Sequence, residues 1–336
     1  MKPRVMTIYG TRPEAIKVAP VIKASAASDL LDGVTVVTGQ HREMLDQVNE
    51  LFAIVPDHDL SILKHGQTLA GITSRVLDGL DPILAAARPD AVVVQGDTTT
   101  STAAALAAFY RQIPVVHLEA DIVITRNTVI DALLLTAGGA RIPFCDPALE
   151  ALAGSGRPIL LVTSHRRENW GDAMHQVGGA LARIARSEPD LVIVLPAHCN
   201  PMVREALLPH LDGLANVVVT EPLPYGEFIR MLALARIVLT DSGGVQEEAP
   251  SLGTPVLVMR ENTERPEAVS AGTVLLIGTG EDRIVKEVER LLHDPAHYAA
   301  MANAVNPYGD GSAAQRVVAA VADLLGVGAR IGDFRL

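Results

Sequence analysis

Side chains that can move a proton follow two of the apolar runs in this 336-residue sequence. Asp97 comes just after the run Ala91–Gln95, and Glu119 comes directly after Val115–Leu118. Such runs are typical of buried parallel strands, whose carboxyl ends meet at one edge of a sheet, so we expect both side chains there. The two carboxylates are therefore candidate acid–base residues. Asp97 could equally be the N-cap of a helix that begins at Thr98, and the residues alone leave both alternatives open.

Cationic side chains follow the first apolar run. The run Arg4–Tyr9 leads into Gly10–Glu14, where Pro13 suits the first position of a helix. Arg12 would then lie at a helix N-terminus on the ligand-binding edge of the sheet, with Lys17 one helical turn further on. The alternative is a solvated turn in which these residues only cap a helix.

Paired glycines mark a candidate anion site in the second half. The run Ile237–Thr240 is followed, one residue later, by Ser242, Gly243 and Gly244. Glycines at a helix start let backbone N–H groups approach an anion closely, and the Ser242 hydroxyl could add a further donor. Glu248, one or two turns into the helix, could reach sugar hydroxyls. These residues predict a diphosphate site, and the alternative is a tight turn with ordinary helix-start acids.

Further polar residues follow other apolar runs. His165 and Arg166 come just after Ile159–Thr163, where they suit an anionic leaving group or a salt-bridged rim. Arg265 precedes a predicted helix in a similar way. His198 lies at another strand end, either as a functional residue or as a turn former.

Composition excludes several classes of protein. The net charge of −11 and the 3% of aromatic residues argue against a nucleic-acid partner. No apolar run approaches a membrane span, the N-terminus does not read as a signal peptide, and we expect a cytoplasmic protein. The sequence contains no Walker A motif, no dinucleotide fingerprint and no zinc spacing, so we expect no cofactor and no metal. Cys145 and Cys199 read as small apolar fillers.

Short β-branched runs alternate with longer amphipathic segments, which predicts parallel sheets covered on both faces by helices. A Gly- and Pro-rich stretch at 153–158 divides the chain. The predicted architecture is α/β, with two doubly wound Rossmann-like domains facing a cleft. The remaining predicted strands are Val34–Thr38, Leu191–Leu195, Val217–Thr220, Val256–Met259 and Thr273–Ile277.

One stretch does not fit this pattern. Strand Val115–Leu118 is followed, after only three residues, by the strand-like Ile122–Ile124. Parallel neighbours need a crossover of about a dozen residues or more. Either a helical excursion has been deleted near 120–127, or the sequence joins two segments across a loop that the complete polypeptide contains. We favour the second explanation.

Eight segments together give the sequence a family resemblance. They are Gly10–Ala15, Gln40–Arg42, Gln95–Thr99, His117–Ala120, His165–Asn169, Thr240–Pro250, Thr263–Glu267 and Asn306–Gly311. In these segments the chain resembles the non-hydrolysing UDP-N-acetylglucosamine 2-epimerases, over nearly its whole length. The resemblance implies the two-domain glycosyltransferase-B architecture, with 1–153 and the C-terminal helix of about 313–336 forming one domain and 158–312 forming the UDP-binding domain.

The resemblance also implies an activity, the conversion of UDP-GlcNAc to UDP-ManNAc for surface polysaccharide. Such enzymes expel UDP by anti elimination, form a 2-acetamidoglucal and re-add UDP with the opposite C2 configuration. UDP-GlcNAc and UDP are then the ligands, no cofactor is needed, and a homodimer is expected. A hydrolysing epimerase and a UDP-sugar-binding protein without turnover remain alternatives.

The resemblance assigns a role to each candidate residue. Asp97 and Glu119 are the acid–base candidates, and Phe228 and Glu248 would bind the uracil and the ribose. Lys17, Arg265 and His198 would lie near the sugar or the phosphates. The diphosphate would be held by Arg12, His165, Ser242, Gly243 and Gly244.

Two departures from the family pattern have functional consequences. Members carry a further essential carboxylate after the position of Glu119, and that segment is missing here. Some bacterial members bind a second UDP-GlcNAc as an effector, at residues that Gln40, Arg166 and His198 match. Glu43 and Gly66 stand where those members have Gln and Arg. A carboxylate beside a diphosphate and a lost cation predict weak or absent activation.

Overall fold

A computed structural model describes residues 2–119 and 126–334. The chain forms two compact units. The first contains the residues up to Thr136 and those from Gly309 onward, and the second contains Ala137–Tyr308. The boundary predicted at 153–158 is therefore wrong, because the chain enters the second unit earlier.

An ion pair explains this earlier boundary. Glu150 lies in the helix Pro147–Ala153, and its carboxylate accepts two hydrogen bonds from the Arg230 guanidinium, at 2.5 and 3.0 Å. The same guanidinium lies 4.2 Å from the centre of the Phe144 ring. The backbone N–H of Cys145 donates to the Glu227 carboxylate at 3.3 Å. These contacts attach residues 137–153 to the second unit, and the Gly/Pro stretch is only a turn within it.

The first unit is a five-stranded parallel sheet in the order β3-β2-β1-β4-β5. Its strands are β1 (Arg4–Tyr9), β2 (Asp32–Val37), β3 (His58–Asp59), β4 (Ala91–Gln95) and β5 (Val115–Leu118). The helices between and after them are α1 (Arg12–Ala26), α2 (Arg42–Leu51), α3 (Leu69–Ala87), α4 (Thr99–Tyr110) and α5 (Thr128–Ala137).

The second unit is a six-stranded parallel sheet in the order β11-β10-β9-β6-β7-β8. Its strands are β6 (Ile159–Thr163), β7 (Val192–Pro196), β8 (Val217–Thr220), β9 (Ile237–Thr240), β10 (Val256–Val258) and β11 (Val274–Leu276). Its helices are α6 (Pro147–Ala153), α7 (Asp172–Ser187), α8 (Pro201–Leu211), α9 (Tyr225–Leu234), α10 (Gly243–Glu248), α11 (Pro266–Ala271), α12 (Glu281–His293) and α13 (Pro295–Ala302). The last helix, α14 (Ala313–Leu324), returns to the first unit and packs on α1.

Each sheet has one point at which the strand order reverses. In the first unit the reversal lies between β1 and β4, and in the second it lies between β6 and β9. Ligands of doubly wound sheets bind at the carboxyl ends of the two strands that flank such a switch point. The segments that follow β1, β4, β6 and β9 are therefore the expected positions of a ligand site.

Some features of the structure differ from the predictions made from the sequence. Cys145 and Cys199 are exposed and free, so the interpretation as apolar fillers is wrong. The two-residue strand β3 was not predicted, and Ile122–Ile124 lies outside the described residues. Within the described part of the chain, no helix has the combination of length and hydrophobicity needed to cross a bilayer.

Candidate active site

Glu14 joins the two segments at the switch point of the first unit. Its side chain is 1% exposed and accepts hydrogen bonds from the backbone N–H of Gly10 at 2.8 Å and of Thr11 at 2.7 Å. It also accepts from the Thr98 hydroxyl, so the start of α1 is tied to the start of α4. Burial raises the pKa of Glu14 above its usual range, and the hydrogen bonds oppose this. Arg12, the first residue of α1, is half-buried beside this junction.

Gly10 must be a glycine because two hydroxyl groups lie against it. A Cβ at this position would lie 2.0 Å from Thr38 Oγ1 and 2.5 Å from Thr100 Oγ1. The two hydroxyls are 3.0 Å apart, and Thr100 also donates to Gln40 Oε1 at 2.9 Å. Gln40, a predicted effector residue, is thus buried in the polar wall of this site.

Asp97 is exposed and does not cap α4. The Thr98 hydroxyl accepts from the Ser101 N–H at 3.1 Å and is the cap of that helix, so the capping alternative for Asp97 is wrong. The backbone N–H of Gly96 donates to Leu118 O at 3.0 Å, which holds the end of β4 against the end of β5. Asp97 therefore leaves the sheet edge beside the segment that carries Glu119.

Glu119 has a histidine beside it and lines a cavity. His117 Nε2 lies 3.9 Å from Glu119 Oε2 and 2.8 Å from Gly96 O. The cavity measures about 240 Å³ and is also lined by Lys17, so an acid–base candidate and a residue predicted to lie near the sugar or the phosphates share one space. Its wall on the α14 side is apolar and includes Val317.

The switch point of the second unit is organised by Asp241, which follows β9 and is completely buried. Its carboxylate accepts from the Ser164 hydroxyl at 2.9 Å and from the Asn169 amide at 3.2 Å. It also accepts from the backbone N–H groups of His165 and Arg166, each at 3.0 Å. One side chain thus fixes the segment after β6, and the sequence analysis did not single it out.

His165 lies between Asp241 and a second imidazole. Its Nδ1 is 3.2 Å from Asp241 Oδ1, and its ring stacks on that of His198 with 5.9 Å between the centres. Burial lowers the pKa of His165 below its usual value, the Asp241 charge opposes this, and His198 and Arg166 add to the lowering. His198 is exposed, and its Nδ1 accepts from the Asn200 N–H at 3.2 Å.

Arg166 lies beside the paired glycines. Its Nη2 is 3.6 Å from the position that a Cβ would take on Gly243, and it is 3.7 Å from Glu264. Gly244 has no atom within 4 Å of the corresponding position, and Ser242 is the residue before α10. The guanidinium and the backbone of this turn therefore lie together, and the predicted salt-bridged rim is present as well.

The remaining predicted residues of the second unit lie in α10, in α9 and just before α11. Glu248 is buried and accepts from the Tyr225 hydroxyl at 3.1 Å. Phe228 is half-buried one turn along the same helix, α9. Arg265 Nε donates to the buried Glu247 carboxylate at 2.5 Å. Tyr225 and Glu247 are partners that the sequence analysis missed, because no spacing signal connects them to the residues they contact.

The two other residues of the predicted effector site are peripheral. Glu43 is exposed in the first turn of α2. Gly66 has a φ of 65° and open space where a side chain would begin. In the described ranges, no three His, Cys, Asp or Glu side chains are grouped as ligands of a metal ion.

Each unit therefore carries charged residues at its own switch point, carboxylates in the first and a histidine–arginine–glycine turn in the second. Two parallel-sheet units of this kind define an α/β protein of the glycosyltransferase-B type. The family model described as UDP-N-acetylglucosamine 2-epimerase matches residues 23–121 and 120–322. The chain belongs to the UDP-N-acetylglucosamine 2-epimerase family.

Individual relatives agree with this assignment. The UDP-N-acetylglucosamine 2-epimerase of Escherichia coli K12 is 45% identical over 376 residues, which cover 95% of this chain and 98% of the relative. A Listeria monocytogenes protein provisionally described as the same enzyme has a crystal structure that covers all of both chains, with 40% identity and a TM-score of 0.91. The Neisseria meningitidis enzyme, solved bound to UDP-GlcNAc, is 38% identical, covers 96% of this chain and all of that one, and has a TM-score of 0.81.

The family match is interrupted where the sequence predicts a gap. Its two parts meet at residues 120–121. The alignment with the Escherichia coli relative is 376 residues long and this chain has 336, so at least 40 aligned positions have no residue here. Relative to that protein, this chain lacks at least 40 residues.

Proposed function

We propose that this protein interconverts UDP-GlcNAc and UDP-ManNAc as a non-hydrolysing 2-epimerase. The observation that carries the proposal is that one chain holds two sets of groups, Asp97 and Glu119 after the neighbouring strands β4 and β5 of the first unit, and the His165–Arg166 and Ser242–Gly244 segments at the switch point of the second. Proton transfer and departure of an anion need these two sets of groups. The family membership supplies the substrate class.

The reaction divides into two reversible steps. In the first, a carboxylate takes the C2 proton, the C1–O bond breaks with its electron pair going to UDP, and a C1–C2 double bond forms in the 2-acetamidoglucal. In the second, UDP adds back at C1 and a proton is delivered to the opposite face of C2. Electrons balance without an oxidant or reductant, so the proposal requires no redox cofactor. Two carboxylates on neighbouring strands suit a proton that leaves one face and returns to the other.

The binding groups follow from their chemistry. Arg166 and the backbone around Gly243 and Gly244 suit the diphosphate, with Arg12 as a further cation. Glu248, held by Tyr225, accepts the ribose hydroxyls in this proposal. Other predicted residues keep the roles that the resemblance gives them: Lys17, His165, His198, Phe228, Ser242 and Arg265.

A second candidate is a UDP-sugar-binding protein without turnover. The interrupted match at residues 120–121 favours it, because the absent segment would follow Glu119 directly. Among the described strands β5 is the last of its sheet, and its Val115 is 37% exposed, so a covering segment would fit there. Intact mass of the purified protein separates a true deletion, at 35.6 kDa, from a chain that is several kDa heavier and contains the loop.

Proton NMR of the protein with UDP-GlcNAc in D2O tests both candidates. UDP-ManNAc with deuterium at C2 is the expected product. Free ManNAc with UDP would replace the proposal by a hydrolysing epimerase. If UDP-GlcNAc is unchanged and UDP binds saturably, the protein is a UDP-sugar-binding protein without turnover.

Two further proposals concern the oligomeric state and the cellular location of the enzyme. We propose a homodimer, which light scattering with size-exclusion chromatography would measure as twice the chain mass. We also propose a cytoplasmic location. The exposed free thiols of Cys145 and Cys199 support it, because such thiols persist in a reducing compartment.

A further inference from the structure

Two histidines from different helices of the second unit face each other, and neither belongs to the candidate active site. His175 lies in the first turn of α7 and His210 in the last turn of α8, and the two helices pack together. His175 Nδ1 is 3.3 Å from His210 Nε2, and the ring centres are 5.6 Å apart. We propose that this pair binds a late first-row divalent metal ion, with Zn²⁺ as the best fit, and thereby joins α7 to α8.

Gly178 makes room for one of these rings. It lies in the interior of α7, where a glycine is less favourable than an alanine. A Cβ at this position would lie 2.6 Å from Cδ2 and 3.0 Å from Cγ of the His210 ring. The missing side chain therefore lets that ring lie directly against α7, with its Nε2 close to His175. Packing holds the ring in this position before any ion binds, as a preorganised ligand requires.

The distance between the two nitrogens suits one shared ion. Zn–N bonds are about 2.0–2.1 Å long, so two of them across the 3.3 Å separation enclose an angle of roughly 105°. This angle is close to the tetrahedral angle that is usual for Zn²⁺ in proteins. Within the described ranges no third His, Cys, Asp or Glu is grouped with the pair, so water completes the coordination in this proposal.

A change of tautomer prepares both nitrogens for an ion. In the free protein the contact is a hydrogen bond, in which one of the two facing nitrogens carries a proton. An ion needs lone pairs on both, so the donating ring must take its other tautomer, with the proton on its outer nitrogen. His175 is exposed, so water can hydrate its outer nitrogen, Nε2. Two neutral rings therefore bind the ion without net release of a proton.

The donor atoms select the class of ion. Imidazole nitrogens suit Zn²⁺, Cu²⁺ and Ni²⁺, whereas Mg²⁺ and Ca²⁺ take oxygen ligands. The helix ends also suit a cation, because His210 lies at the carbonyl end of α8 and Asp172 offsets the positive end of α7. Zn²⁺ is the appropriate probe, because its filled d shell leaves the NMR resonances of its ligands visible.

¹⁵N NMR of the imidazole rings, with the purified wild-type protein titrated with Zn²⁺ alone, measures this binding ring by ring. We expect the His175 Nδ1 and His210 Nε2 resonances to shift together, with one Kd. Mg²⁺ should leave both unchanged. Zn²⁺ taken up elsewhere, for example by the exposed thiols of Cys145 and Cys199, does not produce this paired shift.

Variants test the contribution of each ring. His175→Gln and His210→Gln should each weaken Zn²⁺ binding at the remaining ring by about tenfold or more, because one imidazole alone cannot chelate. Gly178→Ala keeps both imidazoles but displaces the His210 ring, so it should weaken binding as well. The matched control is His293→Gln, which removes an exposed histidine from α12 of the same unit and should leave the affinity of the pair unchanged.

A shift of only one ring, or of neither, in the wild type overturns the proposal, and this result does not depend on the folding of any variant. Equal affinity for Zn²⁺ in the wild type and in either single-histidine variant overturns it too. The pair is then only a hydrogen bond between α7 and α8. His175 and His210 have no role in the proposed epimerase reaction, so these outcomes leave that proposal to the separate experiment in D2O.

Discussion

Asp97 is exposed at the end of β4, while Glu119 has the His117 imidazole beside it. If the two carboxylates carry the proton on the two faces of C2, Asp97→Asn and Glu119→Gln should each lower kcat by about 10²-fold or more. Binding of UDP should change little, because most of the residues proposed to bind UDP belong to the second unit. Steady-state kinetics and calorimetry with UDP measure the two effects separately.

A matched control for these variants is Asp78→Asn, which changes an exposed carboxylate on α3 of the same unit. Its kcat should equal that of the wild type. Full activity in either Asp97→Asn or Glu119→Gln would remove that carboxylate from the mechanism.

We expect Glu43 and Gly66 to determine the response to an effector. Glu43 places an exposed carboxylate in the first turn of α2, and Gly66 leaves open space where a cation would be needed. We expect hyperbolic rates against UDP-GlcNAc in the wild type. The double variant Glu43→Gln, Gly66→Arg should bind a second nucleotide sugar and give sigmoidal rates, and strong sigmoidality in the wild type would contradict this account.

The residues that sequence reasoning missed share one physical property. Glu14, Asp131 and Asp241 are buried carboxylates that each have at least one partner far away in the chain. A sequence shows that such a residue is acidic and follows a strand or lies in a helix, but the donors that surround it are set by tertiary packing. Arg12, His165 and Ser242 could be singled out because their positions depend only on the local strand-to-turn order.

At the scale of the elements, the strands were the most predictable feature. The strands β1, β4, β5, β6, β8 and β9 have the predicted bounds because continuous apolar runs are typical of parallel strands. Among them β5 and β8, at the ends of their sheets, are only partly buried. Strand β3 consists of His58 and Asp59, which are polar and exposed, so no apolar pattern marks it. The domain boundary could not be predicted from composition. The Arg230–Glu150 ion pair attaches the residues before the Gly/Pro-rich stretch to the second unit.

Helix α14 has its N-terminal cap on another helix. Asp131 in α5 accepts from the backbone N–H groups of Ala313 at 3.2 Å and Ala314 at 2.8 Å, while the side chain of Ser312 makes no cap bond. Asp131→Ala should therefore lower the free energy of unfolding of the first unit by about 1–3 kcal/mol, because buried donors lose their acceptor. Asp294→Ala removes the local cap of α13, which water can replace, and should cost less in urea unfolding. Equal losses in the free energy of unfolding of the two variants would contradict the expectation that a buried cap stabilises the fold more than an exposed one.

The ion pair that holds α6 predicts an acid limit to stability. The hydrogen bond from Arg230 is the main reason that the pKa of Glu150 is lowered from 4.5 to about 2. A lowered folded-state pKa stabilises the fold above the ordinary value, and this contribution is lost as the pH falls from 4.5 towards 2. The urea midpoint of the wild type should fall across this range more steeply than that of Glu150→Gln. Glu205→Gln, at an exposed site in the same unit, should follow the wild type.

At the scale of the whole molecule, the single tryptophan reports on one unit only. Trp170 lies in the second unit, directly after the segment that Asp241 organises. UDP at 100 times its Kd should stabilise the unit that binds it by about 2.7 kcal/mol. The thermal transition seen by Trp170 fluorescence should therefore rise more with UDP than the transition seen by circular dichroism, which reports on both units. Identical shifts by both methods would contradict the proposal that the second unit provides most of the UDP-binding residues.

The return of α14 to the first unit also has a consequence for synthesis on the ribosome. Chains emerge from the N-terminus at about 5–20 residues per second, and domains fold as units when they are complete. The second unit is one continuous stretch, 137–308, whereas the first lacks α14, which packs on α1, until Ala313–Leu324 have been made. The residues that are translated first therefore belong to the unit that is completed last, and α1 acquires its packing partner α14 only after the second unit has been made.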